Sequence, residues 1–218
     1  MFFLKGKFYK FFLLTTFLCL SQFSFAQQEL IEEIVVTGSY IKTSSKNDTS
    51  PVDIIPRDEI EDIGAFLISD ITKNLSINSG SENNTDAFTS GNTQGTSNIN
   101  LRGLGLSSTL VLIDGRRQTV TGATANDGSV FVNTSTIPLI AIQRVEVLKE
   151  GAASIYGSDA VAGVVNYIFR RDFEGFELDI SDKRTDAGNQ KDQSISFILG
   201  NQSNSLSWVL AASVLNRT

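Results

Sequence analysis

Enzyme chemistry needs nucleophiles, bases or metal donors that converge, and this chain of 218 residues holds few of them. It contains no histidine and a single cysteine, Cys19. Without imidazole, and with Cys19 inside a segment that the mature chain is expected to lose, no Ser/His or Cys/His pair and no transition-metal centre can be assembled. Asp58, Glu59, Glu61 and Asp62 crowd one stretch, but they lack the ligand spacing of a calcium loop and read as the solvated face of a helix. Gly103-Leu104-Gly105 starts like a dinucleotide fingerprint, yet Ser108 stands where the third glycine is needed and a strand follows instead of a helix. Gly151, Gly157 and Gly163 are too widely spaced for a phosphate-cradling loop, and no Gly-Lys-Ser/Thr follows them. No catalytic set, metal site or cofactor is expected, so an enzyme is not expected either.

One pattern does carry a mechanism. Ile34-Val35-Val36-Thr37 is a β-branched run between acids and Gly38, and residues 42–50 (KTSSKNDTS) after it are polar. An apolar strand on a tether can add itself to the sheet edge of another protein through backbone hydrogen bonds. The same run could be the first strand of its own domain, and pattern alone does not separate the two.

The first 26 residues have a separate fate. Lys5, Lys7 and Lys10 precede an apolar stretch over residues 11–20, and Ser24-Phe25-Ala26 offers small residues for cleavage. This is the three-part pattern of a secretory leader, and its apolar run is short of the roughly 20 residues that span a bilayer. Cleavage after Ala26 removes Cys19 and three lysines but no acid, so the formal charge of −6 becomes more negative still. An acidic mature chain is a poor nucleic-acid binder.

The remaining chain changes character twice. Residues 52–55 form a strand ending at Pro56, residues 57–63 a short helix closed by Gly64, and residues 66–75 continue at helical spacing. Residues 74–100 are dense in Ser, Asn, Thr and Gly and read as a long loop. Residues 110–113 form a buried strand, Asp114-Gly115 a tight turn, and residues 116–120 a returning strand. Residues 121–129 make a second polar loop, residues 144–149 a strand, 151–158 a helical turn and 163–169 another strand. This mixture implies an α+β domain over residues 51–171, a small mixed sheet with short helices. Residues 175–182, 193–199 and 205–214 then alternate as strands with one apolar face, the pattern of an antiparallel transmembrane β-barrel. Three strands cannot close a barrel, so the sequence reads as truncated at Thr218.

Together these stretches resemble a known family. Glu33-Ile34-Val35-Val36-Thr37-Gly38 resembles a TonB box. Residues 99–117 (INLRGLGLSSTLVLIDGRR) and 142–168 (IQRVEVLKEGAASIYGSDAVAGVVNYI) are similar to the two signature stretches of the plug domain in TonB-dependent outer-membrane receptors. The order of box, tether, plug and barrel entry is the family's order. The resemblance divides the chain into a signal peptide (1–26), box and flexible tether (27–50), plug (51–171) and the start of a truncated barrel (172–218).

The resemblance implies a bacterial outer-membrane location, a barrel of about 22 strands filled by the plug, and a box in the periplasm. It implies that the C-terminal domain of the inner-membrane partner TonB pulls on Glu33 to Gly38 to drive uptake of a scarce bulky ligand. An iron–siderophore complex comes first; oligosaccharide and cobalamin remain open. Arg102 and Lys149 match cations that pair with barrel acids in relatives, although a lysine gives up bidentate geometry. Arg144 and Glu146 are expected to be internal plug structure. Phe88, Asn92, Thr124 and Asp127 lie in the two polar loops that match ligand-facing apices. The alternative is a stand-alone plug-type binding or signalling module without transport.

Overall fold

The computed structural model describes residues 34–35, 37, 43–44, 52–81, 93, 95–184, 191–203 and 206–217. The leader, Glu33, Val36, Gly38, Phe88 and Asn92 lie outside the described residues. Among the described residues three sheets are formed. β1 (Ile34–Val35) pairs antiparallel with β2 (Thr43–Ser44) as an isolated two-stranded piece.

The second sheet contains β3 (Val52–Pro56), β4 (Thr109–Ile113), β5 (Arg116–Arg117), β6 (Ile142–Leu148) and β7 (Gly163–Phe169) in the order β3-β6-β7-β4-β5. β4 and β7 run parallel and every other pair antiparallel. Pro56 is tolerated because β3 is an edge strand with no ladder to donate to on its outer side. At the β4–β5 turn Asp114 (φ 49°) and Gly115 (φ 75°) are both left-handed. That is the geometry a two-residue hairpin requires, and an Asp-Gly pair supplies it at least cost.

Two-residue periodicity sends alternate side chains of this sheet into different layers. Ile55, Val111, Val145, Val147, Val165 and Tyr167 pack with Ile60 of α1 (Arg57–Asp62) and with Ile68 and Ile71 of α2 (Ile68–Asn74). Asp70 fixes the start of α2 by accepting from the backbone amides of Phe66 (3.0 Å) and Leu67 (3.1 Å). On the other face Leu110, Leu112, Leu148 and Val164 meet Ala152 and Ala160, which flank α3 (Ala153–Tyr156). At Gly163 (φ 144°) a Cβ would come within 2.5 Å of the Leu148 carbonyl oxygen, so only glycine lets β7 start there.

The described residues of 75–100 form no helix or strand, as expected of a long loop, but several of them are interior. Among the described ones Thr93, Ser97, Asn98 and Asn100 are buried. The backbone groups of Ser97 and Asn100 are met by a second loop and by an Asn: the Ser97 amide donates to Asn133 Oδ1 (3.1 Å), the Thr134 amide to the Ser97 carbonyl (2.9 Å), and the Asn100 amide to Asn78 Oδ1 (3.0 Å). A polar stretch can be interior when another supplies complementary donors and acceptors. The strand expected over residues 116–120 is also shorter, because only Arg116 and Arg117 pair with β4.

The third sheet is an antiparallel meander of β8 (Gly175–Arg184), β9 (Lys191–Gln202) and β10 (Ser207–Arg217). Its two faces are inverted relative to a water-soluble sheet. On β9 the buried positions include Asp192, Ser194 and Ser196, while Ile195 and Leu199 are exposed. Register places Phe176, Leu178 and Ile180 beside Leu199, Phe197 and Ile195, with Leu210, Ala212 and Val214 on the other flank.

Candidate functional site

β6 sets the site. Arg144, Glu146 and Leu148 alternate along one face, and only Leu148 is apolar. On β7 Asn166 lies opposite Glu146 on the same face. One end of this face is therefore covered by the α3 region, and the other is a buried polar patch with Glu146 and Asn166 fully enclosed. Among the described residues of the N-terminal arm, Thr37 enters it. Thr37, 1% exposed, donates through Oγ1 to Glu146 Oε2 and lies 2.9 Å from Asn166 Nδ2. Arg144 approaches the other carboxylate oxygen, Oε1, through Nε (3.0 Å) and Nη2 (2.9 Å). A buried carboxylate is stable only when it is paired and hydrogen-bonded, and this one is.

The patch continues to the exit of the five-stranded sheet. The Gly115 amide donates to Asn166 Oδ1 (3.0 Å). Asp114 next to it accepts from the Phe169 amide (3.0 Å) and from Arg171 Nε (3.1 Å) and Nη2 (3.0 Å). The β4–β5 turn thus fastens the segment that leads into β8. Gly200 on β9 lets that segment approach, since a Cβ there would collide with the Phe173 carbonyl.

Two further cations hold the third sheet to the second. Arg170 Nη1 pairs with Glu177 of β8 at 2.8 Å, and its guanidinium lies 4.4 Å from the Phe173 ring centroid. Arg57 Nη1 donates to the Leu139 carbonyl (2.9 Å), and its Nη2 stands 3.8 Å from Glu177. A cleft of about 490 Å³ opens beside them, lined by Arg57, Glu61, Leu139, Asp179, Asp182 and Ser196 among others. The seam between the two sheets therefore carries ion pairs beside apolar groups such as Ile60, Phe66 and Ile140.

The residues singled out by sequence are dispersed over this frame. Ile34 and Val35 form β1, and Thr37 is buried in the patch. Arg102 (φ 57°) donates through Nη2 to the carbonyls of Ala162 (2.9 Å) and Val161 (3.3 Å). Lys149 forms an ion pair with Asp53 on β3. Thr124 and Asp127 are exposed in a loop that closes on itself, with the Ala125 amide on the Ser129 carbonyl (2.9 Å) and Ala125 packed with Leu106 and Phe131. The hydroxyl and amide of Ser129 hold the Asp127 carboxyl below the ordinary range. Arg144 and Glu146 are internal, as expected. The roles of Asn166, Arg57, Arg170 and Glu177 were missed. A polar side chain in the run Val164-Val165-Asn166-Tyr167 was the one available signal for Asn166, while the others look like ordinary surface charges.

Comparison with known proteins adds a consistent picture. Residues 44–164 match the family described as the TonB-dependent receptor plug domain. The iron-regulated outer membrane virulence protein of Vibrio cholerae is 31% identical over 145 residues, covering 65% of this chain and 20% of that protein. The chain thus spans about a fifth of that relative. Among solved structures, a mutant of the ferric enterobactin receptor of Pseudomonas aeruginosa superposes with a TM-score of 0.59 at 23% identity, covering 78% of this chain and 25% of the other. The siderophore receptor PirA of Acinetobacter baumannii gives 0.54 at 23% identity, covering 75% and 24%.

Proposed function

Because the chain belongs to the TonB-dependent receptor plug-domain family, we propose that it is the plug and energy-coupling region of an outer-membrane active transporter. Residues 1–26 direct export, residues 27–50 present the TonB box, residues 51–171 form the plug and residues 172–218 begin the barrel wall. The observation that carries this reading is the inverted third sheet. Its plug-facing side holds Ser194, Ser196 and Asp192, and its other side carries Phe176, Leu178, Ile180, Ile195 and Leu199 into the open. A barrel in lipid around a polar lumen demands that inversion, and a sheet in water would reverse it.

The cargo is a bulky iron–siderophore complex. Relatives named for iron regulation and for siderophores support that choice over oligosaccharide or cobalamin. Glu33 to Gly38 engage the TonB C-terminal domain by strand addition, which uses backbone groups and tolerates varied side chains. Phe88, Asn92, Thr124 and Asp127 meet the ligand from the plug apex. Arg102 and Lys149 contribute to holding the plug against the barrel wall.

The test is uptake of radio-iron delivered as ferric siderophores by cells expressing the receptor, with and without TonB. Uptake that needs both the receptor and TonB is expected, and alanine at the four apex positions should weaken ligand affinity. Equal uptake without TonB would remove the active-transport reading, and unchanged affinity in all four variants would remove the apex assignment.

A further inference from the structure

We propose that Glu146 and Asn166 form an intramolecular docking site for the Thr37 hydroxyl, so that the end of the TonB box is seated on the two middle strands of the plug. This deepens the energy-coupling reading and rests on it only for what release of the seat would serve.

The directions of the hydrogen bonds around Thr37 are fixed. A backbone N–H can only donate, so the Asn166 atom 3.0 Å from the Gly115 amide is its oxygen. The Asn166 NH₂ group then faces Thr37 at 2.9 Å. That group can only donate, so Thr37 Oγ1 must accept. Its own proton is left for Glu146 Oε2. Arg144 supplies donors to Oε1, which leaves Oε2 to accept from Thr37. The seat therefore demands one atom that accepts from an amide and donates to a carboxylate. Threonine and serine have such an atom. Valine has threonine's shape and neither capacity.

Burial makes the requirement strict. Thr37 is 1% exposed and both of its partners 0%, so water cannot replace the lost bonds without the patch opening. Location gives the seat a purpose. Glu146 and Asn166 pair across β6 and β7, the second and third of five strands. A pull on the arm at residue 37 thus reaches the centre of the sheet, not its edge. Asn166 also holds the turn whose Asp114 fastens Arg171 at the entry to the barrel strands. Arm, central strands and barrel junction share one chain of hydrogen bonds.

The test uses the protein purified from outer membranes in detergent. The protection factor of the Thr37 backbone amide in hydrogen exchange reports how often this residue leaves its seat. T37V should exchange there about tenfold faster than the parent, because Glu146 and Asn166 lose the hydroxyl. T37S should exchange at the parent rate. E146Q, which turns one of two acceptor oxygens into a donor, should behave like T37V. A parent-like rate for T37V or E146Q would overturn the proposal, as would a T37S rate equal to that of T37V. Neither ligand nor TonB is present, so failure here is distinguishable from failure of the transport reading, which radio-iron uptake tests.

Discussion

Tyr167 lies at the centre of β7 with its ring in the main core, and its hydroxyl has no hydrogen-bond partner among the described residues. A buried hydroxyl without a partner is a net cost, so Y167F should stabilise the protein by about 1 kcal/mol, or roughly 2–4 °C in Tm. The pH dependence has a definite sign. Burial pushes the phenol well above its ordinary value of 10.0, so an unfolded tyrosine ionises while the folded one stays neutral. The folded state then holds more protons, and this residue's share of stability is lost as pH rises past about 10. Thermal melts at neutral and alkaline pH should show Y167F more stable at both, with the gap widening at high pH. A lower Tm for the variant would mean that the hydroxyl has a partner after all. At this scale the sequence is a poor guide, because partners are chosen by topology. Nothing near Thr37 points to Glu146, which is 109 residues away. By contrast, Asp114-Gly115 was legible as a turn because its backbone demand is local.

At the scale of elements, two-residue periodicity revealed the strands and the inverted faces of the third sheet together. The strand expected over residues 163–169 is β7 itself. Periodicity failed where no apolar pattern exists. Ser97 and Asn100 are interior through hydrogen bonds between loop residues that leave no trace in hydropathy. The outward face of β9 gives a direct check on the medium it meets. Ile195 is 54% exposed, and in water a lysine at such a site would be nearly neutral. Against lipid it should cost about 2–4 kcal/mol near the bilayer midplane. I195K should therefore reduce both the yield of folded receptor in the outer membrane and its resistance to denaturant in liposomes, while I195F changes neither. Parental behaviour of I195K would place that face in water.

At the scale of the molecule, two kinds of cohesion coexist. The five-stranded sheet is closed on one face by an apolar layer with Ile60, Ile68 and Ile71, and on the other by Ala152 and Ala160 beside the polar patch of Glu146 and Asn166. Its junction with β8–β10 includes Arg57 and Arg170 converging on Glu177, beside the cleft. Partly exposed ion pairs contribute little to stability, so the plug should fold without the barrel but lose order where the barrel strands touch it. Amide hydrogen exchange on residues 51–171 expressed alone should find β4, β6 and β7 slow. The faster amides should belong to α1 and to Leu139–Ala141, a single 3₁₀ turn that packs against β9 and β10. Regional opening of this kind fits the transport role proposed above. Uniformly slow exchange with a fully dispersed amide spectrum would instead describe a plug rigid in its own right. In that case the force delivered through the arm would have to displace the plug as one body and could not loosen it strand by strand.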